Sequence, residues 1–246
     1  TDDPKIRDLQ PSYKGKGYKA SDPSSSLAIG FDAENVQLKS WLTLGDLDGA
    51  DSGNDCWGYV SPSGREYALM GTSSSTVFVE ITDPGNPQIV SVKSGPNSLW
   101  RDIKTYQHYA YAVSEGGGGI QVFDMDDIDD GVVTQLNSAG SSNTHNVAID
   151  TTSGFLYRTG GAGSGLIIYD LSNPAVPTQV GTWPDKYVHD AQVVTYTEGP
   201  YAGKQIAFCC GGYSGGWSET GLTILDVTNK SNPVVLGEVQ YSGSGY

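Results

Sequence analysis

Short segments in which apolar and polar residues alternate recur along most of this chain, and each ends in a turn-forming cluster. The clearest set occupies residues 57–61, 67–71, 77–81 and 88–93. Alternation with a period of two is typical of β-strands that bury one face. The glycine, proline, serine and aspartate residues between the segments favour tight turns. The pattern therefore predicts an antiparallel unit of four strands, and no part of the chain predicts a helix.

The unit is repeated along the sequence. An apolar strand that runs into an Asp, Asn or Pro turn occurs at residues 76–84, 165–174 and 221–229, with a weaker copy at 119–125. The aspartate that closes this strand is predicted to cap the turn in three copies, at Asp124, Asp170 and Asp226. A second shared phrase lies upstream and aligns Trp57, Arg101, His145 and His189. Successive members are about 44 residues apart, a length typical of four-stranded β-propeller blades.

We therefore predict an all-β fold, a β-propeller built of four-stranded blades of about 44 residues. Four repeats are visible, near residues 55–97, 98–141, 142–185 and 186–241. Residues 35–246 are assigned to the propeller domain. Residues 1–34, which are rich in Pro, Gly, Ser and Lys, are assigned to an extended N-terminal arm.

The ring of blades is expected to be incomplete. Residues 36–44 resemble the outermost strand of a further blade without its three inner partners. Residues 242–246 resemble the approach to a fifth inner strand. Because a propeller closes only when its end blades meet, we expect that residues beyond Tyr246 or another chain cover the open edges.

The charge of the chain narrows the classes of partner. Of its 246 residues, 28 are Asp or Glu and 14 are Lys or Arg, so the net charge is −14. A surface of this sign repels phosphate backbones, which disfavours nucleic acid as a partner. No apolar run approaches the roughly 18 residues of a membrane-spanning helix. Cys56, Cys209 and Cys210 lack a C-x-x-C spacing, which leaves open one disulfide with a leftover thiol or three free thiols.

Several longer phrases resemble a known family. They are GNDCWGY at 53–59, SGREYAL at 63–69, SLWRDIK at 98–104, GIQVFD at 119–124 and VHDAQ at 188–192. These phrases are similar to the choice-of-anchor B family, whose members carry LVIVD-type repeats, and the resemblance covers roughly residues 35–246. It implies an exported or surface-anchored β-propeller. It implies no particular reaction.

Two histidines occupy the same position in consecutive repeats. His145 and His189 are therefore predicted to converge at one end of the central channel, with Asp102, Asn146 and Asp190 beside them. Imidazoles with neighbouring carboxylates suit Zn, Mn, Fe or Cu, which predicts a transition-metal site.

The other repeats place different side chains at this position. Arg101 could bind an anion or a carboxylate, and Trp57 is a further candidate ligand-binding residue. The alternative is structural: all these polar side chains would then fill the channel through hydrogen bonds with one another.

A loop before the first repeat is the second candidate site. It places carboxylates at close spacing around glycines, at Asp46, Asp48, Asp51 and Asp55. Oxygen ligands on a flexible loop suit calcium, which accepts six to eight of them. The loop lacks the bidentate glutamate of an EF-hand, so an ordinary acidic turn is the alternative.

Together these features predict a secreted or cell-surface propeller that acts as a binding or scaffolding module, with bound calcium as a stabilising ion. The expected partners are proteins or carbohydrates at the cell surface, and open blade edges allow self-association. The competing hypothesis is a metal-dependent enzyme with a His/Asp site in the central channel.

Overall fold

The structure, a computed structural model, describes residues 12–25, 33–161, 165–212 and 217–242. Its architecture is all-β, with four four-stranded antiparallel sheets that follow one another along the chain. In each of these sheets the strands pair in sequence order, because short turns join each strand to the next. The predicted four-stranded units are therefore confirmed.

The segment before the first blade differs from the prediction. Strand β1 (Tyr18–Lys19) pairs antiparallel with β2 (Ser40–Trp41), and one turn of helix follows, α1 (Leu44–Leu47). Residues 36–44 therefore do not form the outermost strand of a blade. The reason is local: the Asp46 amide donates to the Thr43 hydroxyl at 3.2 Å, and the Thr43 amide donates to the Asp46 carboxylate at 2.9 Å. This capping box starts a helix where the alternation predicted a strand.

The remaining strands form the four blades. The first contains β3 (Gly53–Val60), β4 (Glu66–Thr72), β5 (Ser75–Glu80) and β6 (Gln88–Ser94). The second contains β7 (Arg101–Tyr106), β8 (Tyr109–Ser114), β9 (Gln121–Asp124) and β10 (Thr134–Gln135). The third contains β11 (Asn146–Asp150), β12 (Phe155–Thr159), β13 (Leu166–Asp170) and β14 (Thr178–Trp183). The fourth contains β15 (Asp190–Thr195), β16 (Gln205–Gly211), β17 (Thr220–Asp226) and β18 (Val234–Tyr241). Single turns of 3₁₀ helix lie at Ile128–Asp130 and Gly199–Tyr201.

The first strands of the blades lie side by side. Strand β3 contacts β7, β7 contacts β11, and β11 contacts β15. These four are therefore the inner strands of a propeller-like arrangement, and β3 and β15 are the terminal members of the row. The end segment that was predicted to approach a fifth inner strand lies outside the described residues from position 243 onward.

An apolar core fills each space between successive blades. Between the first and second blades, the Phe78 and Phe123 rings meet edge to face with centroids 5.5 Å apart. Between the second and third, Tyr111 and Val113 pack with Leu156. Between the third and fourth, the buried residues include Tyr157, Trp183, Val193, Cys209 and Leu225. Burial of apolar side chains on both sides of a blade holds the row together.

One tyrosine position repeats in three blades. Tyr67, Tyr111 and Tyr157 lie on the second strands, and each hydroxyl donates a hydrogen bond to the following blade. Their acceptors are Asp129 at 2.7 Å, the Pro174 carbonyl at 2.9 Å and Gln205 at 2.6 Å. Buried tyrosines need such partners, so this position contributes to the order of the blades as well as to the core.

The predicted turn caps are confirmed. The carboxylates of Asp124, Asp170 and Asp226 each accept a hydrogen bond from the amide two residues later, at 3.0, 2.6 and 2.9 Å. These aspartates therefore hold the turns after the third strands. No helix among the described residues is long and apolar enough to cross a membrane.

Candidate functional site

The two repeat-equivalent histidines meet at one end of the inner strands. His145 directly precedes β11, and His189 directly precedes β15. Their imidazole rings are in edge-to-face contact, with centroids 4.2 Å apart and planes at 78°. The predicted convergence of the two side chains is confirmed, because neighbouring inner strands place equivalent residues next to each other.

Backbone hydrogen bonds fix the starting points of both side chains. The His145 amide donates to the Thr159 carbonyl at 3.2 Å, and the His189 amide donates to the Cys210 carbonyl at 2.8 Å. The Thr159 hydroxyl also donates to the His189 carbonyl at 2.9 Å, which joins the two blades beside the rings. Gly160 lies against this joint at φ 63°, and a Cβ there would overlap the Cβ of His145. Only glycine fits that position without displacing the histidine.

A glutamate that the repeat pattern does not predict lies beside the two histidines. Glu115 Oε1 lies 2.7 Å from His145 Nδ1. An ionised carboxylate accepts a hydrogen from Nδ1, and the lone pair of a neutral imidazole is then on Nε2. The His145 side chain is 11% exposed and that of Glu115 is 38% exposed, so solvent reaches the carboxylate more readily than the ring.

Two aromatic rings flank the histidines. The Trp100 ring centroid lies 5.7 Å from that of His145, and the Tyr187 centroid lies 6.2 Å from that of His189. Burial raises the pKa of the Tyr187 hydroxyl, and the negative charge of Glu115 raises it further. These five residues, Trp100, Glu115, His145, Tyr187 and His189, are called the histidine cluster below.

The acidic and amide side chains beside the histidines form hydrogen bonds with backbone groups of the inner strands or of the residues next to them. Asp102 Oδ2 accepts from the Val147 amide of the next blade at 2.7 Å, and Oδ1 accepts from the Ile103 amide at 2.9 Å. Asn146 Nδ2 donates to the His189 carbonyl at 3.2 Å. Asp190 is exposed and accepts from the Ala191 amide at 2.7 Å.

The pKa of Asp102 is higher than that of an ordinary aspartate. Burial raises its pKa to about 7, and the neighbouring Asp55 carboxyl acts in the same direction, while the Lys104 ammonium opposes both. Asp102 is 4% exposed. It is therefore a buried carboxyl that links inner strands.

Arg101 is buried rather than presented to a ligand. Arg101 is 1% exposed. The guanidinium donates to the Thr72 carbonyl at 3.0 Å, to Gln121 Oε1 at 2.9 Å and to the Pro96 carbonyl at 2.8 Å. Burial lowers its pKa. The contact with Thr72 ties the start of β7 to the first blade.

Trp57 does not occupy the place of Arg101, so the alignment in the first repeat is wrong. Asp55 Oδ2 accepts from the Ile103 amide at 3.0 Å, which is the contact that Asp102 makes one blade further on. A bulge between Gly53 and Cys56, with Asp55 at φ 51°, shifts the register. Trp57 is 42% exposed, and Lys104 Nζ lies 4.4 Å above its ring.

The four carboxylates of the predicted calcium loop have separate partners. Asp46 caps α1, and Asp51 pairs with Lys14 at 3.0 Å on the surface. Asp48 accepts from the hydroxyls of Thr72, Ser74 and Ser75. Within the described ranges, no three His, Cys, Asp or Glu side chains form a group that could hold a metal ion. Calcium binding by this loop stays a prediction.

The cysteines are free in the described part of the chain: Cys209 is buried, Cys210 is half-buried and Cys56 is exposed. Burial raises the pKa of both neighbouring thiols, Cys209 and Cys210. The two lie consecutively on β16, where adjacent side chains point to opposite faces of the sheet.

Comparison with known proteins supports the fold. A family model described as the LVIVD repeat matches residues 160–185 and 216–240, which include strands of the third and fourth blades. No curated protein matches the sequence. Similar solved structures include a Lactobacillus plantarum protein, at 15% identity and TM-score 0.52, covering 76% of this chain and 55% of that one. The structure of Chaetomium thermophilum Raptor is similar at 13% identity and TM-score 0.56, covering 85% of this chain and 18% of that one.

A third similar structure is a putative 6-phosphogluconolactonase from Bacteroides fragilis, at 12% identity and TM-score 0.53, covering 74% of this chain and 56% of that one. This chain spans about half the length of the Lactobacillus plantarum protein. At such low identity the similarity concerns the fold alone. The chain therefore carries LVIVD repeats on an all-β, β-propeller-like fold.

Proposed function

We propose that this protein is a binding module of the cell surface or extracellular space, and that it binds its ligand at the histidine cluster. The observation that carries the proposal is the meeting of His145, His189 and Glu115, from two different blade interfaces, at one end of the inner strands. Loops and strand ends positioned by a rigid scaffold are common binding sites. The resemblance to the choice-of-anchor B family and the net charge of −14 support the location.

The composition of the cluster favours a carbohydrate. Trp100 and Tyr187 place aromatic rings beside the two histidines, and Glu115 adds a partly exposed hydrogen-bond acceptor. Aromatic faces pack against the apolar face of a sugar ring, while polar groups fix the hydroxyls. The histidine cluster contains no Lys or Arg side chain whose positive charge would favour an anionic polymer.

A glycan-array measurement tests this function. The wild-type protein is expected to bind at least one glycan, and Trp100→Ala is expected to abolish that binding. Trp57→Ala is the matched control, because Trp57 is a partly exposed tryptophan on β3, outside the cluster. Binding that survives Trp100→Ala, or that is lost in Trp57→Ala, would contradict the proposed site. Detection of the protein only inside its host cells would contradict the location.

A second function, a metal-dependent enzyme, uses the same imidazoles. The Glu115–His145 pair favours it, because metal-bound histidines commonly donate to a carboxylate. Asp102 and Asp190, the carboxylates of the predicted His/Asp site, each accept a hydrogen bond from a backbone amide. Elemental analysis of the purified protein tests this alternative: a transition metal near one per chain supports it, and its absence together with glycan binding supports the module.

A further inference from the structure

We infer that a cleft between the N-terminal strand pair, β1 and β2, and the outermost strand of the first blade, β6, binds a free α-amino acid with an apolar or aromatic side chain. The cleft has a volume of about 460 Å³, which is in the range of small-molecule sites. Its lining includes Lys16, Lys19, Asp22, Trp41, Asp46 and Ile89, and it is called the rim cleft below. The histidine cluster lies at the inner strands of other blades, so this inference does not rest on the proposed function.

The lining of the rim cleft contains two charges of each sign. Lys16 and Lys19 supply the cations, and Asp22 and Asp46 supply the carboxylates. Within the described residues, none of these four side chains forms an ion pair with another at 4.0 Å or less. Unpaired charges of both signs in one cleft are complementary to a ligand that carries both a carboxylate and an ammonium group.

Each of the two carboxylates is held in place through one of its oxygens. Asp22 Oδ1 accepts from the Ser24 amide at 2.8 Å and from the Ser24 hydroxyl at 2.7 Å. Asp46 Oδ2 accepts from the Thr43 amide at 2.9 Å. In the described ranges of the chain, the other oxygen of each carboxylate accepts no hydrogen bond. Asp22 Oδ2 and Asp46 Oδ1 are therefore oriented acceptors for a ligand ammonium.

The two lysines keep hydrogens for a ligand carboxylate. Lys19 Nζ donates to the Pro87 carbonyl at 2.7 Å and lies 3.4 Å from Asn86 Oδ1, which uses at most two of its three hydrogens. Hydrogen bonds from Ser24 lower the pKa of the Asp22 carboxyl, and the charges of Lys16 and Lys19 lower it further. Both ammonium groups thus lie near this carboxylate, as the short distance between the two charges of an α-amino acid requires.

Apolar side chains line the rest of the rim cleft. Tyr18 and Trp41 are direct partners in the pairing of β1 with β2, so their side chains lie on the same face. The Tyr13 ring stacks on that of Trp41, with centroids 4.9 Å apart and planes at 19°, which holds the indole in place. Ile89 of β6 adds an exposed aliphatic side chain. This surface suits the apolar side chain of the amino acid.

Contacts with the first blade keep the cleft formed without a ligand. The Ser21 amide and hydroxyl donate to the Gly85 carbonyl at 3.2 and 2.9 Å. At Gly17, a Cβ would overlap the Trp41 carbonyl and the Asp46 carboxylate, so glycine allows the close approach of these groups. A site that is formed beforehand loses less conformational freedom when the ligand binds.

Calorimetry and saturation-transfer nuclear magnetic resonance with L-phenylalanine test the site on the full chain. Two analogues each lack one charge: 2-phenylethylamine has no carboxylate, and 3-phenylpropanoate has no ammonium group. We expect one L-phenylalanine per chain, bound at least about 10-fold more tightly than either analogue, because each analogue leaves two charged side chains without a ligand partner.

Two charge variants locate the ligand. Lys16→Ala is expected to weaken L-phenylalanine binding by about 10-fold and to leave 2-phenylethylamine binding unchanged. Lys39→Ala is its control, because Lys39 is an exposed lysine outside the lining. Asp22→Asn keeps an acceptor for Ser24 and is expected to weaken L-phenylalanine binding similarly, without weakening 3-phenylpropanoate binding. Asp83→Asn is the matched control, because Asp83 also accepts from the amide two residues later, at 2.9 Å.

The four substituted side chains are exposed, so these variants keep the packing of the fold. Equal binding of the three compounds, no saturable binding of L-phenylalanine, or unchanged binding in both charge variants would overturn the inference. Loss of L-phenylalanine binding in Trp100→Ala would assign it to the histidine cluster and would also overturn the inference. If L-phenylalanine binds as expected and no glycan binds, the rim cleft stands and only the proposed function fails.

Discussion

Single polar side chains determine how the inner strands of this propeller-like fold are joined. Asp55, Asp102 and Asn146 each reach across to the next inner strand, and each uses a side-chain atom to satisfy a backbone group there. A buried polar group without a partner is costly. These contacts therefore fix the register between blades at the end where the histidine cluster lies.

Asp102 gives the first prediction at this scale. Its ordinary pKa is 3.8, and in the folded protein it is raised to about 7. The folded state thus keeps a proton that the unfolded chain releases above about pH 4. The stability that this group contributes is fully present below pH 4 and is lost as the pH rises through 7.

Asp102→Asn resembles the protonated form, so its free energy of unfolding should not show this loss. In urea titrations, wild-type stability relative to Asp102→Asn is expected to fall between pH 4 and 7, by at most about 4 kcal/mol at 1.36 kcal/mol per pH unit. A stability difference that is flat over this range would contradict an elevated pKa. The comparison cancels the opposing contributions of the other carboxylates.

Gly160 gives the second prediction. Gly160→Ala introduces both a Cβ at φ 63° and an overlap with the Cβ of His145. Gly203→Ala is the matched control, because Gly203 has φ 78° but open space around its Cβ position. We expect Gly160→Ala to lower the free energy of unfolding by more than the roughly 1 kcal/mol expected of the control. Equal effects of the two variants would show that His145 does not pack against Gly160.

Among the elements, the segment before the first blade is held to it by several contacts, and one of them is the Asp48 carboxylate, which accepts from Thr72 and Ser74. Burial acts to raise the pKa of Asp48, but hydrogen bonds from Ser75, Thr72 and other donors outweigh it and lower the pKa below 3.8. A lowered pKa means that the stability contribution is present above about pH 4 and is lost as the pH falls below it.

Asp48→Asn is therefore expected to lower the melting temperature at pH 7, and the difference from wild type should shrink in acid. Asp51→Asn is the control, because Asp51 forms an exposed pair with Lys14 that contributes little to stability. The same measurement tests the calcium prediction. A melting temperature that rises with calcium in wild type, and does not rise in an Asp48→Asn/Asp51→Asn variant, would support a calcium loop, and no rise in wild type would exclude it.

The sequence predicted those elements whose signal is periodic. The third-strand phrase and the 44-residue spacing of Arg101, His145 and His189 predicted where the strands lie. The same spacing predicted that the two histidines are close together, because equivalent residues of neighbouring blades are neighbours in space. The strand predicted at residues 36–44 was wrong because alternation alone cannot distinguish a strand from a capped turn. The predicted equivalence of Trp57 with Arg101 was wrong because a bulge in β3 breaks the 44-residue spacing.

Glu115 could not be found by spacing within one phrase. It follows the second strand of the second blade, and antiparallel pairing places it beside the start of β7, where its amide donates to the Trp100 carbonyl at 3.3 Å. The signal for it is a charged residue directly before the glycine run 116–119, at the end of a second strand. Predicting that Glu115 lies beside His145 requires knowing which strands pair, in addition to the repeat.

At the scale of the whole molecule, the cores between blades make the row of sheets a cooperative structure. Leu156 lies fully buried in the core between the second and third blades. Leu156→Ala is expected to lower the free energy of unfolding by about 2–5 kcal/mol, through lost burial and the cavity left behind. Val36→Ala is the control, since Val36 is 75% exposed.

The unfolding of Leu156→Ala, followed by circular dichroism and by tryptophan fluorescence, should remain one transition at a lower temperature. Separate transitions for the two signals would show that the blades unfold independently, and that the central core does not couple them.

In the whole molecule, repeat-equivalent histidines of the third and fourth blades meet, and a carboxylate contacts one of them. Nuclear magnetic resonance of histidine-labelled protein tests this most directly, because the sequence has three histidines. We expect a cross-relaxation peak between the rings of His145 and His189, whose centroids are 4.2 Å apart, and a hydrogen on Nδ1 of His145. His145→Ala should remove that peak while the His108 signals stay unchanged. Three imidazoles without mutual contact, or a His145 ring with its hydrogen on Nε2 alone, would contradict this arrangement of the two histidines and Glu115.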